Sequence, residues 1–169
     1  MQMLAGKARL WQRFTMLGVT PESRMRQRLI DSLYVEAMMI ADEARGYFDE
    51  GGRAEREALD PVVRVTYSCE SLKVTTRLMH IIAWLLTQRA VAAGELGQRD
   101  ALDPSRRLGE APVTDAAVLE ALPERARQLI GASADLHRRV ARLDTAQDRT
   151  PDTLPSPARS IQQRLSRAF

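Results

Sequence analysis

Residues 70–93 constrain the fold of this chain more than any other stretch. They read ESLKVTTRLMHIIAWLLTQRAVAA and keep one helical period over about seven turns. The apolar residues spread over more than half of the helix circumference, which is too wide a face for one neighbouring helix to cover. This predicts a long helix that is packed on from several sides. The wide face consists of Val74, Leu78, Met79, Ile81, Ile82, Ala83, Leu85, Leu86 and Ala90.

A narrow charged strip lies opposite this apolar face. Steps of three and four residues place its members on one line along the helix, which also includes His80. Tryptophan and arginine are over-represented among the residues that dominate binding energy at interfaces. We therefore predict an exposed partner-binding strip, formed by Glu70, Lys73, Arg77, Trp84 and Gln88. The alternative is that Trp84 packs beneath the long connector that follows the helix, or in a dimer seam.

Size, charge and cysteine content limit the possible classes of protein. A chain of 169 residues can bury a core without disulfides or a metal. The net charge of +3 is small and its signs are interspersed, which argues against a dedicated nucleic-acid-binding face. The single cysteine, Cys69, cannot form an internal disulfide, so a cytoplasmic location is predicted. The most apolar run, from residue 78 to residue 88, would span about 17 Å as a helix, against about 30 Å for a bilayer core, so no membrane span is predicted.

Two further helical periods flank the central one. The first helix is predicted from about residue 23 to residue 49, with Gly51 and Gly52 ending it. The central helix is predicted to begin at Asp60-Pro61, an N-cap residue followed by proline at the first helical position. Gly94 is the expected C-cap of that helix.

A long connection follows, because residues 95–113 are rich in glycine and proline. It is predicted to lie on the surface with at most one helical turn. Thr114-Asp115 then caps a short turn, and the third main helix runs from Pro123 to about Leu143. Its predicted buried face consists of Ala126, Leu129, Ile130, Leu136, Val140 and Leu143.

The chain divides into three predicted segments. They are a basic amphipathic leader at 1–20, a helical bundle domain at 21–144 and a flexible tail at 145–169. The leader either docks on the domain or is a loose arm. The tail is polar and rich in proline, so it buries too little surface to offset the entropy of ordering. Its apolar residues Ile161, Leu165 and Phe169 suit either a helix that forms on a partner or a frayed end. No segment reads as a strand, so the predicted class is all-α.

The sequence shows no clear catalytic, metal-binding or phosphate-binding motif. His80, His137 and the lone Cys69 do not form a cluster at metal-ligand spacing. The glycines do not form a phosphate-binding loop. Ser68 and Ser71 lack an identifiable base, and a nucleophile without a base is inert at neutral pH. We therefore predict a protein that is not an enzyme and that has no catalytic residues, no metal and no cofactor.

Two segments of the chain resemble a known family. DSLYVEAMMIADEARGYFDEGGR (31–53) and CESLKVTTRLMHIIAWLLTQRAVAAGEL (69–96) are similar to RcdA, the regulator of CtrA degradation of alphaproteobacteria. The similarity extends from about residue 28 to residue 144. Its central pattern stands here as Glu70-Ser71, 74–79, 84–86 and 88–91.

This resemblance implies both a fold and a function. The implied fold is a three-helix bundle of long amphipathic helices, usually as a homodimer. The implied function is that of a non-enzymatic adaptor in cell-cycle-controlled proteolysis, which tethers substrates to the ClpXP protease through protein contacts. The expected partners are therefore the protease complex, its substrate proteins and a second copy of the chain.

A helical DNA-binding regulator is the alternative function. It is suggested by the arginines of the third helix, but these spread around the helix and mix with acidic residues, which weakens the idea. They are Arg125, Arg127, Arg138, Arg139 and Arg142. A separate expectation concerns Arg89, which projects from the apolar face of the central helix. We expect it to meet an acidic residue or a carbonyl near a helix end.

Overall fold

Three long helices form the body of the molecule. The structure, a computed structural model, describes residues 21–148. The long helices are α1 (Pro21–Gly46), α3 (Pro61–Ala92) and α5 (Glu124–Asp148), and the short ones are α2 (Arg53–Ala58) and α4 (Ala116–Glu120). No strand occurs between residues 21 and 148. The predicted all-α class and the three-helix bundle are confirmed. Among these helices, none is long and apolar enough to cross a bilayer.

The predicted segment boundaries are only partly visible. The leader at 1–20 and residues 149–169 of the tail lie outside the described residues. Residues 145–148, which we assigned to the tail, belong to the last turn of α5. The division into leader, domain and tail otherwise stays a prediction.

The ends of the central helix follow the sequence signals. Pro61 opens α3, and Gly94 has a φ of 76°, a conformation that glycine adopts without strain. The Asp60 side chain makes no capping bond, although its carbonyl oxygen accepts from the Arg64 amide at 2.8 Å. α1 continues into a π-helical turn, Tyr47–Gly51, so the helical segment ends at the two glycines, as predicted.

An aromatic cluster closes one end of the bundle. The Phe48 ring lies 5.3 Å from both Tyr47 and Tyr67, edge to face. The Tyr47 hydroxyl donates to Glu55 at 2.5 Å. Burial, followed by this hydrogen bond, raises the pKa of Tyr47 well above its ordinary value. A Cβ at Gly52 would stand 2.5 Å from the Tyr67 oxygen, so only glycine fits there.

α1 and α3 run antiparallel. Tyr47 contacts Tyr67 at one end of the pair, and Arg26 reaches Gln88 at the other. The predicted partner of Arg89 is confirmed, because its Nε lies 3.1 Å from Asp31 Oδ1. The same guanidinium stands 4.6 Å from the centre of the Tyr34 ring.

α5 packs on both of the other helices and completes the core. Arg139 of α5 forms a two-pronged ion pair with Glu36 of α1, at 2.6 and 2.9 Å. The predicted buried face of α5 is correct for Ala126, Leu129, Ile130, Leu136 and Val140, whereas Leu143 is only partly buried. The core includes Ile30, Leu33, Ala37, Val74, Leu78, Ile81 and Leu85 from α1 and α3.

The connector, defined here as residues 95–115, joins α3 to α4 and follows the body of the bundle. It contains two short 3-10 turns, Asp100–Leu102 and Pro104–Arg106, so the expectation of at most one helical turn is wrong. It is also more than a surface loop, because Ala101 is 3% exposed. Asp115 caps α4 by accepting from the Ala117 amide at 3.0 Å, as predicted.

Candidate functional site

The charged strip of α3 faces the interior of the protein. Glu70 and Arg77 are each 2% exposed, Trp84 is 1% exposed and Gln88 is 8% exposed. Only Lys73 keeps a partly exposed side chain. The predicted exposed surface is therefore wrong, because the connector and α5 cover it. The alternative position of Trp84, beneath the connector, is the one found. A role of the five residues in partner binding stays a prediction.

Arg77 is the centre of this buried strip. Its Nε and Nη2 donate to the carbonyl oxygen of Pro112, at 3.2 and 2.9 Å. Nη2 also donates to the Thr114 hydroxyl at 2.8 Å, and Nη1 donates to the Ser133 hydroxyl of α5 at 3.1 Å. Burial lowers the pKa of Arg77, and the charge of Glu70 partly opposes this. One guanidinium thus joins α3, the connector and α5.

Thr114 links Arg77 to a second buried charge. Its hydroxyl accepts from Arg77 and donates to Glu70 Oε2 at 2.6 Å. The other oxygen of Glu70 accepts from Lys73 Nζ at 2.7 Å, and the same Nζ donates to the Val113 carbonyl at 2.9 Å. The two cations and the buried carboxylate are therefore all hydrogen-bonded, as buried charges require.

Trp84 belongs to a second polar group, nearer the C-terminal end of α3. Its Nε1 donates to Asp144 Oδ1 of α5 at 2.6 Å. The same oxygen pairs with Arg107 Nε of the connector at 2.8 Å. Arg107 also donates to the Asp144 carbonyl at 3.1 Å. Trp84 therefore helps to position the carboxylate that holds the middle of the connector, at Arg107.

Both histidines bind neighbouring carbonyls of the connector. His80 Nδ1 lies 3.2 Å from the Glu110 oxygen, and His137 Nε2 lies 2.8 Å from the Gly109 oxygen. A Cβ at Gly109 would stand 2.5 Å from His80 Nδ1, so the close approach needs glycine.

These contacts form one structural device, which we call the connector clamp. It consists of Glu70, Lys73, Arg77, His80 and Trp84 of α3, together with Ser133, His137 and Asp144 of α5. Lys73, Arg77 and His80 bind Val113, Pro112 and Glu110 in turn. Side chains later in α3 thus bind earlier residues of the connector, so the connector runs antiparallel to the helix. The clamp holds backbone and has no nucleophile paired with a base. No group of three or more His, Cys, Asp or Glu residues suited to a metal ion occurs in the described part of the chain.

The outer face of α3 is uncharged, whereas the side that forms the clamp carries charged residues. Between Arg64 and Arg89, no exposed residue of the helix carries a charge. Leu72 is 66% exposed and Met79 is 65% exposed. We call this surface the uncharged face, and its exposed residues are Val65, Ser68, Cys69, Leu72, Thr75, Met79, Ala83 and Leu86. Three of them, Met79, Ala83 and Leu86, were expected on the packed face.

A seven-residue period organises the uncharged face. Large apolar residues recur at Val65, Leu72, Met79 and Leu86. Small residues recur between them at Cys69, Thr76, Ala83 and Ala90. Alternating steps of three and four residues are the pattern of a helix that packs against another helix. This regular spacing is the sequence signal that could have found the face.

Neighbouring α1 also exposes large apolar side chains, including Val35, Met38 and Met39. Its Asp31 is neutralised by Arg89 of α3. Large exposed apolar patches are uncommon on monomeric proteins and mark sites of association.

The arginines of α5 are mostly neutralised by carboxylates. Arg125 pairs with Glu43, Arg127 with Glu124 and Arg138 with Asp135. Arg139 pairs with Glu36. This arrangement offers little free positive charge to a phosphate backbone, so the structure gives no observation that favours DNA binding.

A family model described as "Protein of unknown function (DUF1465)" matches residues 21–169. The chain belongs to this family. Among solved structures, it is similar to RcdA from Caulobacter crescentus, with 32% sequence identity and a TM-score of 0.58. The similarity covers 70% of this chain and 90% of that one. The resemblance to RcdA predicted from the central helix is thereby confirmed. A search of curated proteins finds no match.

Proposed function

We propose that the protein is a non-enzymatic adaptor in cell-cycle-controlled proteolysis, which tethers substrates to the ClpXP protease in the cytoplasm. The similarity to RcdA supports the process. The exposed residues of α3 would supply the contact surface. An adaptor needs surfaces that other proteins can bind, and an uncharged apolar helix face meets that need.

The observation that carries this proposal is the uncharged face. Leu72 and Met79 are both more than half exposed although they lie in the middle of a 32-residue helix. At about 25 cal/mol per Å² of buried apolar area, covering this face would contribute favourably to association. The charged residues of α3 are used internally by the connector clamp, which leaves the opposite face for partners.

A second copy of the chain is the proposed first occupant of the uncharged face. Two copies of α3 packed antiparallel in full overlap would place each large residue opposite a small one of the partner helix. The pairs would be Val65 with Ala90, Leu72 with Ala83, Met79 with Thr76 and Leu86 with Cys69. Alternation of large and small side chains lets facing helices interdigitate without voids. The face is therefore suited to a symmetric homodimer.

The five strip residues have an indirect role in this proposal. Glu70, Lys73, Arg77 and Trp84 hold the connector against α3, so they would affect partners through the position of the connector. Gln88 stands apart from the clamp, at the far end of the strip.

Protein turnover in the native organism tests the proposal. Proteins captured by the tagged chain are identified, and their half-lives are measured by pulse-chase in wild-type and deletion cells, with and without ClpX depletion. We expect that some captured proteins have longer half-lives in the deletion cells. We expect ClpX depletion to lengthen the half-lives of the same proteins by about the same amount. Unchanged half-lives of all captured proteins in the deletion cells would contradict it.

A further inference from the structure

A cleft of about 820 Å³ opens at the end of the bundle where α1 begins and where α3 and α5 end. This volume lies within the range of ligand-binding pockets. Ile30, Leu86 and Val91 supply apolar walls, and alanines such as Ala90, Ala101 and Ala146 keep the space open. The cleft is separate from the connector clamp.

Two side-chain amide nitrogens in this cleft lack hydrogen-bond acceptors. Gln88 is 8% exposed, and its Nε2 atom is buried without an acceptor. Gln147, at the end of α5, also has a buried Nε2 without an acceptor. A buried donor without an acceptor costs about 1–3 kcal/mol, so such groups call for an explanation. Both would be satisfied by a ligand that supplies carbonyl or carboxylate oxygens.

The charge at the mouth of the cleft adds to this preference for acceptors. Arg26 lines the cleft and makes a long contact of 3.5 Å to Gln88 Oε1. The exposed Arg24 and Arg28 lie on the same end of α1. Of the two carboxylates in the lining, Asp31 is neutralised by Arg89, and Glu95 is the other.

We propose that this cleft binds the C-terminal end of an apolar peptide from another protein. Arg26 would bind the terminal carboxylate, and the Nε2 atoms of Gln88 and Gln147 would donate to the carboxylate or to the last carbonyl oxygens. A charge-assisted bond from a guanidinium is among the strongest available to a carboxylate. The apolar walls would hold the side chains of the last residues. This inference goes beyond the adaptor proposal. Leu86 and Ala90 of the lining are also assigned to the dimer seam, so the peptide is assigned to the side of the cleft that α1, α5 and the connector line.

Fluorescence polarisation with the full chain tests the proposal. The probe is a fluorescein-labelled glycine–serine peptide that ends in alanine, valine and leucine with a free carboxylate. The matched probe ends in a carboxamide. We expect saturable binding of the carboxylate form and at least tenfold weaker binding of the carboxamide form, because the amide loses the charge that Arg26 recognises. No saturation at millimolar protein, or equal affinity for the two probes, would overturn the proposal.

Single substitutions test whether the carboxylate probe binds in the cleft. Arg26→Gln should weaken the carboxylate probe about tenfold, whereas Arg28→Gln, on the same helix but outside the cleft, should leave affinity unchanged. Ala146→Trp, at an exposed position of the lining, should block the cleft. Circular dichroism confirms that each variant is folded. Equal losses in Arg26→Gln and Arg28→Gln would indicate general charge attraction and overturn the assignment.

The chain's own terminal segments are the competing occupants. Full-length Trp11→Ser/Phe14→Ser and Leu165→Ser/Phe169→Ser variants remove the apolar residues of the leader and of the tail. If the wild-type chain binds the carboxylate probe and neither variant binds it more tightly, an external peptide is the occupant. If binding is seen only in one of these variants, the cleft belongs to that segment, and the proposal of an external peptide is wrong.

Discussion

Arg77 and Thr114, 37 positions apart in the chain, are joined by a 2.8 Å hydrogen bond that ties the middle of α3 to the end of the connector. The same threonine hydroxyl donates to Glu70, so one small side chain connects two buried charges of opposite sign. The charged strip of the helix is therefore a structural element that holds backbone. The recognition surface that we propose therefore lies on the other side of α3.

Replacing Arg77 with alanine should destabilise the protein strongly. The change removes bonds to Pro112, Thr114 and Ser133, and it leaves buried acceptors without donors. We expect a loss of about 3 kcal/mol in the free energy of unfolding. Urea unfolding followed by circular dichroism measures it. The exposed Arg138→Ala change, which removes a surface ion pair, should cost less than about 1 kcal/mol. Equal effects of the two changes would show that the clamp does not stabilise the fold.

Thr114 offers a finer test of the clamp. Thr114→Ser keeps the hydroxyl and should be almost neutral, whereas Thr114→Val keeps the shape and removes both hydrogen bonds. We expect Thr114→Val to cost about 1–2 kcal/mol and to speed amide hydrogen exchange at residues 107–113. Exchange that is equally slow in both variants would mean that the connector is held by other contacts.

The sequence predicted the fold well because helix signals are local. Pro61 and Gly94 mark the ends of α3, and the three- and four-residue spacing of Ala126, Leu129 and Ile130 marks the buried side of α5. These features act through backbone geometry and burial within one helix, so one sequence is enough to find them.

The orientation of α3 could not be predicted in the same way. A strip with Glu70 and Arg77 reads as exposed because buried charges need partners. Most of the partners here come from residues at least 35 positions away. Loop residues such as Thr114 give no local sign of such a role. Met79 and Leu86 were predicted to be buried because they are apolar, and nothing in a single chain shows that a face is left open for another molecule.

Stability should fall at alkaline pH because of Tyr47. Burial and the hydrogen bond to Glu55 raise its pKa in the folded state above the ordinary tyrosine value of 10.0. A group with a raised folded pKa contributes stability below its unfolded pKa, and this is lost as pH rises above about 10. Urea midpoints at about pH 9 and about pH 11 measure the loss. Tyr47→Phe should show a smaller loss between these two conditions, and an identical loss would contradict the assignment to Tyr47.

Cysteine cross-linking tests the antiparallel packing of two α3 helices. In that register Cys69 faces residue 86 of the second copy, so Leu86→Cys should form an intermolecular disulfide under mild oxidation. The wild-type chain, with Cys69 alone, should not cross-link efficiently, because its two thiols would lie several helical turns apart. Efficient cross-linking of the wild-type chain would instead indicate parallel packing.

The oligomeric state of Met79→Glu shows whether the uncharged face of α3 is a dimer seam, since Met79 lies in the middle of this face and is 65% exposed. Sedimentation velocity is measured for the wild-type chain, for Met79→Glu and for Ala116→Glu, which adds the same charge at an exposed position of α4. We expect a dimer for the wild-type chain and for Ala116→Glu. We expect a monomer with unchanged helicity for Met79→Glu, because the charge would be buried in the seam without a partner. A monomeric wild-type chain, or a Met79→Glu variant that remains a dimer, would contradict the proposal that this face binds a second copy.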